Sequence, residues 1–156
     1  MSHARKEYTD FEKLAPDVFA VVRDLGQFAA KAGLDKQLLE LVKLRASQIN
    51  GCAFCVQYHI LQGESLGVPI DKLNLVVVWR EVPQFSARER AALAWTEALT
   101  LVSETHAPDA DYEAVRAEFT DGELVNLTTL IGTINAWNRI AIGFRAVHPV
   151  KVKVTA

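Results

Sequence analysis

The sequence predicts an all-α fold, on three observations. Apolar residues recur at helical spacing along nearly the whole chain. Two capping boxes, Ser86-Ala-Arg-Glu89 and Thr120-Asp-Gly-Glu123, mark helix starts in the second half. No segment shows the alternation of a convincing strand, save a tail at Val150–Ala156 that reads equally as a short strand or as disordered.

The elements follow in order. Pro16 suits the first turn of a helix, Val18, Val22, Leu25 and Ala29 mark one face, and Gly33 is a stop. Asp35 can cap a second helix through Leu38, Leu41, Val42 and Arg45. Asn50-Gly51 ends it, because both residues tolerate left-handed backbone. A third helix runs from about Cys52 to Leu66 and is closed by Gly67 and Pro69. Asp71 opens a fourth, through Trp79. The first capping box leads a long helix containing Leu93, Ala94, Glu97, Leu101 and Val102. A shorter helix covers about Asp109 to Phe119. The second box leads Leu124, Leu127, Thr128, Ile131 and Ile134, continuing to about Phe144, and Pro149 ends the pattern.

Composition narrows the class. The chain has 156 residues, half of them apolar and 23% charged, which suits one globular domain over residues 1–156. Seventeen basic and nineteen acidic residues leave a net charge of −2, with no electrostatic reason to expect nucleic acid. The polar start Met-Ser-His-Ala-Arg-Lys-Glu has no apolar signal region. The most apolar run, Leu73 to Trp79, is far shorter than the ~20 residues of a membrane span. No membrane partner is expected, and the default compartment is the cytoplasm.

The chemistry concentrates in Cys52-Ala-Phe-Cys55-Val-Gln-Tyr-His59, which holds both cysteines of the chain. A disulfide across so short a loop removes little unfolded-state entropy, so the pair reads as catalytic, redox-sensing or metal-binding in a reducing compartment. The thiolate is the nucleophile, and a free cysteine is mostly protonated at neutral pH. A start at Gly51-Cys52 puts Cys52 near unpaired amides that favour an anion. His59, one turn beyond Cys55, supplies a base. At about 100° per residue, Cys52, Cys55 and His59 fall within an arc of about 60° on one helix. Geometry leaves the roles of the two cysteines exchangeable. An inert core pair is the bland alternative. Zinc is another, but a structural site needs four ligands, there is no second CxxC, and His3, His106 and His148 are scattered. No metal and no cofactor are expected. Alternatives to turnover are a dithiol sensor, a disulfide reductase or a metal-binding module.

Glu40, Cys52, Cys55 and His59 together resemble the alkylhydroperoxidase AhpD-like family of the carboxymuconolactone decarboxylase superfamily. Glu40 precedes Cys52 by twelve residues and His59 follows Cys55 by four. Leu44-Arg-Ala-Ser-Gln-Ile-Asn-Gly51 and Ile134-Asn-Ala-Trp-Asn-Arg-Ile-Ala-Ile-Gly-Phe-Arg145 are also similar to that family, so the resemblance places the domain core at about 15–148. The resemblance implies a helical protein that assembles into trimers or hexamers and reduces hydroperoxides. Its reductant would be a dithiol or a lipoylated protein. It implies that Cys55 attacks the peroxide, that Cys52 resolves the sulfenic acid, and that Glu40 orients His59. One position departs: the best-known members carry a histidine just before the second cysteine, where this chain has Phe54. Tyr58 either adds a hydroxyl near the site or packs. Asn135, Trp137, Asn138 and Arg139 read as helix packing or a subunit contact rather than as catalytic groups. The superfamily's decarboxylase branch does not depend on such a dithiol, so lactone chemistry fits poorly.

Overall fold

In the computed structural model, residues 5–31 and 33–147 are described. Among them lie nine α-helices, one 3-10 segment and no strand. The helices are α1 (Tyr8–Leu14), α2 (Pro16–Lys31), α3 (Lys36–Asn50), α4 (Ala53–Ser65), α5 (Ile70–Leu75), α6 (Ala87–Thr100), α7 (Val102–Thr105), α8 (Asp109–Glu118) and α9 (Asp121–Gly143). The 3-10 segment, Val76–Glu81, follows α5. His3, His148, Pro149 and the tail Val150–Ala156 lie outside the described residues.

Local signals set most boundaries. The Asp35 side chain accepts from the Leu38 amide at 2.9 Å and starts α3. Both capping boxes form, Ser86 with Glu89 and Thr120 with Glu123. Gly51 ends α3 in the left-handed region, at φ 68°. Cys52 is the cap of α4 rather than its first residue.

Three expectations need correction. The helix read from Asp71 through Trp79 breaks after Leu75 into the tighter segment. Val78 there leaves helical geometry, at φ −121°. Three successive β-branched valines crowd an α-helical turn, and 3-10 spacing stacks Val76 over Trp79 so that both are buried. The helix led by Ser86 stops at Thr100, and Val102 belongs to the separate turn α7. Helix α1 was not foreseen. Its cap is Glu7 paired with Asp10, and none of its residues is buried. It is held by aromatic contacts: Phe11 stacks on Phe144 at 5.6 Å and approaches Phe19 at 5.9 Å.

Helix α3 runs through the interior. Leu38, Leu39, Leu41, Val42, Leu44 and Ala46 are buried around its whole circumference. One side meets α2, α6, α8 and α9 in a core around Leu39, Val42, Leu127 and Ile131. Another meets α5, the 3-10 segment and α6 around Leu41, Leu44, Leu73 and Trp79. A third, small cluster comprises Cys52, Cys55 and Ala141 of α9. Helices α4 and α5 approach closely at Gly63, where a Cβ would lie 2.8 Å from Leu73 Cδ2.

Candidate functional site: a dithiol, a buried histidine and an aromatic cavity

The turn from α3 into α4 places the dithiol. The Cys52 amide donates to the Ser47 carbonyl at 3.0 Å as the chain reverses at Gly51. An amide network centred on the buried Asn138 fixes this turn. Asn50 donates to the side-chain oxygens of Asn135 (2.9 Å) and Asn138 (2.8 Å), and Asn138 donates to Ser47 Oγ at 3.0 Å. Asn135 in turn donates to Thr100 Oγ1 at 3.1 Å, so α3, α6 and α9 are joined beneath the cysteines. Asn135 and Asn138 are thus internal packing groups, and Arg139 bonds back to Asn135.

Cys52 and Cys55 are joined by a disulfide, with Cα atoms 5.3 Å apart. Cys52 Sγ accepts the Cys55 amide at 3.3 Å, the place a serine oxygen takes in an ordinary helix cap. The exposures are 2% for Cys52 and 5% for Cys55.

Glu40 and His59 come together from α3 and α4, each 7% exposed. His59 Nδ1 lies 2.7 Å from Glu40 Oε2, and Lys43 Nζ lies 2.7 Å from Glu40 Oε1. Burial alone would raise the Glu40 pKa. The hydrogen bond from His59 and the Lys43 cation outweigh it and hold the carboxyl below its ordinary range. Burial pushes the His59 pKa down, Lys43 adds to that, and Glu40 only partly offsets them. An ionised Glu40 beside a neutral imidazole sets the tautomer: Nδ1–H donates to the carboxylate, and Nε2 keeps its lone pair.

Cys55 and His59 border a cavity of about 380 Å³ that opens to solvent; Cys52 and Glu40 stand behind them. Its walls come mainly from α2, α4 and α9, with Tyr8 and Lys43 completing them. Phe54 stacks on Tyr58 at 6.1 Å, and Tyr58 meets the His59 ring edge-on at 5.3 Å. Phe54, which replaces a polar group in the expected pattern, thus forms part of an aromatic wall.

Tyr8, Phe19, Arg23, Lys43 and Trp137 belong to this cavity and were not foreseen in it. Lys43 had a signal, since it stands three residues after Glu40 on one helix. The others depend on how α1, α2 and α9 are placed. His106 is exposed in the loop after α7. Among the described residues, no three His, Cys, Asp or Glu side chains cluster as a metal site requires.

A helical domain with a CxxC pair at a helix start, backed by a buried Glu–His pair, defines a class of dithiol proteins. Residues 16–98 match the Carboxymuconolactone decarboxylase family. The Bacillus subtilis (strain 168) uncharacterized protein YdfG is 32% identical over 132 residues, 85% of this chain and 90% of its own length. A solved structure of a protein of unknown function from Agrobacterium tumefaciens, described as a candidate antioxidant defence protein AhpD, superposes with TM-score 0.88. It shares 45% identity over 94% of this chain and all of its own. An uncharacterized peroxidase-related protein from Silicibacter sp. TM1040 superposes with TM-score 0.67 and 26% identity, over 74% of this chain and 60% of its own. The chain is an AhpD-like member of the carboxymuconolactone decarboxylase family. Among the described residues, no helix is long and apolar enough to cross a membrane.

Proposed function

We propose that this protein is a dithiol peroxidase that reduces hydroperoxides. The observation that carries this reading is the order of groups at the cavity: Cys55 and His59 at its wall, Glu40 bonded behind His59, and Cys52 behind Cys55. In the reduced protein, His59 Nε2 takes the Cys55 proton, and Glu40 stabilises the imidazolium. The Cys55 thiolate attacks the terminal peroxide oxygen, the O–O bond breaks, and His59 returns the proton to the departing alkoxide. The Cys52 thiol then displaces the sulfenic hydroxyl as water, giving the disulfide. An external dithiol restores both thiols. The descriptions of the two structural relatives, antioxidant defence and peroxidase-related, agree with this chemistry.

The low exposure of both cysteines favours small substrates over protein disulfides, which need an open approach to sulfur. It also favours a reductant carried on a slender arm, such as a lipoylated protein. Self-association belongs to the same reading. Val18, Val21, Leu25 and Phe28 form an exposed apolar stripe on α2, opposite the cavity-facing Phe19, Arg23 and Gly26. An exposed apolar helix face is suited to burial against a partner, here a second copy of the chain.

The test is peroxide consumption with a dithiol reductant for the wild type, Cys55→Ser and His59→Ala. Loss of turnover in Cys55→Ser and a large drop in His59→Ala are expected; equal rates in all three would refute the reading.

A further inference from the structure

The cavity is much larger than a simple peroxide needs. Its volume of about 380 Å³ equals that of about a dozen liquid waters, whereas hydrogen peroxide fills the space of about two. Its walls are aromatic. Phe19 meets Trp137 edge-on at 5.2 Å, and the Phe54 ring lies between those of Tyr8 (5.7 Å) and Tyr58 (6.1 Å).

The charged lining is of one sign. Arg23 and Lys43 border the cavity, and no carboxylate does among the described residues. The two cations differ in what is left to offer a ligand. Lys43 is bonded to the buried Glu40. Arg23 uses Nε on Asp24 at 3.0 Å, and its two Nη groups have no hydrogen-bond partner among the described residues. Its side chain is about half exposed, at the mouth of the cavity. Glu12 acts on the Tyr8 hydroxyl from α1. Burial, Glu12 and Tyr58 together hold that hydroxyl protonated, so Tyr8 presents a neutral group to a ligand.

We propose that the cavity selects a compact aryl hydroperoxide bearing a carboxylate, with its ring among Phe19, Phe54 and Trp137 and its carboxylate on the Nη groups of Arg23. The redox step rests on the peroxidase reading above; the binding preference does not. The Cys55 thiolate takes the terminal oxygen to become a sulfenic acid, and the carboxylated alkoxide gains the proton held by His59 and leaves as an alcohol. Cys52 then forms the disulfide with loss of water, and an added dithiol returns two electrons and two protons.

The experiment has two arms. In the first, kcat/KM is measured with dithiothreitol for 4-carboxycumene hydroperoxide and its methyl ester, on the wild type, Arg23→Gln and Arg23→Lys. The acid should be preferred about fivefold, the upper range for a solvent-exposed ion pair. That ratio should fall to about one in Arg23→Gln and be partly restored in Arg23→Lys. In the second, 4-isopropylbenzoate and its methyl ester are titrated into the disulfide form while tryptophan fluorescence is followed. Tighter binding of the acid, lost in Arg23→Gln, is expected. Equal treatment of acid and ester in both arms overturns the proposal, even if both peroxides are consumed. If the acid binds through Arg23 but neither aryl peroxide nor hydrogen peroxide oxidises the dithiol, the peroxidase reading fails and the ligand class stands.

Discussion

Replacing Glu40 by glutamine keeps the side chain's size and removes its charge. The carboxylate accepts from His59 at 2.7 Å and from Lys43 at 2.7 Å, in surroundings that leave the Glu40 and His59 side chains 9% exposed. Hydrogen bonds to charged groups contribute about 1.5–3 kcal/mol each. Glutamine retains one acceptor oxygen, so one bond is lost and the other loses its charge. A destabilisation of about 2–4 kcal/mol follows, or roughly 4–16 °C in Tm for a domain of this length. The effect on chemistry is separate. The hydrogen bond and the attraction from Glu40 both hold the His59 pKa up, while Lys43 continues to push it down. His59 becomes a weaker base, and a glutamine amide facing Nδ1 would reverse its tautomer. Since general-base catalysis contributes about 10²–10⁴-fold, the second-order oxidation rate should fall by about 10²-fold. The assay is rapid mixing of the reduced protein with cumene hydroperoxide, read by tryptophan fluorescence, since Trp137 borders the cavity. A Glu40→Gln protein that is folded at the assay temperature and is oxidised at the wild-type rate across pH would refute the relay.

Other expectations concern the thiols, the amide network and acid stability. After one equivalent of peroxide, Cys52→Ser should accumulate a sulfenic acid that dimedone labels, and Cys55→Ser should not; labelling of the second variant alone would reverse the assigned roles. Asn138→Ala removes a fully buried side chain bonded to Asn50 and Ser47. It should cost about 2–4 kcal/mol in urea unfolding, because the buried Ser47 hydroxyl and the half-buried Asn50 amide each lose a bond. Stability should also fall on acidification. The folded pKa of His59 lies below its ordinary value, so below about pH 6.5 the unfolded chain binds a proton that the native one refuses. The folded pKa of Glu40 is lowered as well, so its contribution is complete above about pH 4.5 and lost as pH falls through the folded value. Both groups act in one direction, and urea midpoints between pH 7 and pH 4 should decline. A flat profile over that range would contradict the buried neutral histidine.

What the sequence makes legible follows the range of the interaction concerned. The Asp35 cap, the two capping boxes and the Gly51 stop are decided within four residues, and each forms as the pattern predicts. The arc shared by Cys52, Cys55 and His59 is likewise local to one helix start. Glu40 is different. On helical periodicity alone it reads as a solvated residue, and only the spacing of a known family singles it out; its burial depends on α3 being enclosed on every side. Helix α1 escapes detection because it buries nothing of its own and is held by aromatic contacts from other elements, one of them with Phe144, more than a hundred residues away. The cavity escapes for the same reason. Phe19 and Arg23 belong to α2, Trp137 to α9, and no motif links them before the helices meet. Asn135 and Asn138 read from sequence as helix packing or a subunit contact; both bond within the chain, and their hold on Asn50 connects that packing to the placement of the thiols.

The cavity bordered by Cys55 has a kinetic consequence. Cys52 stands behind Cys55 and does not border the opening. In the proposed cycle, the oxidant must reach Cys55 through that passage, and so must the dithiol that later resets the pair. The two reactants share one doorway, and each acts on a different redox state of the pair. Turnover should therefore alternate strictly between an oxidised and a reduced protein, with parallel double-reciprocal lines. At high concentration, each reactant should occupy the form meant for the other and slow the cycle, so the protein would run fastest where peroxide and reductant are in proportion.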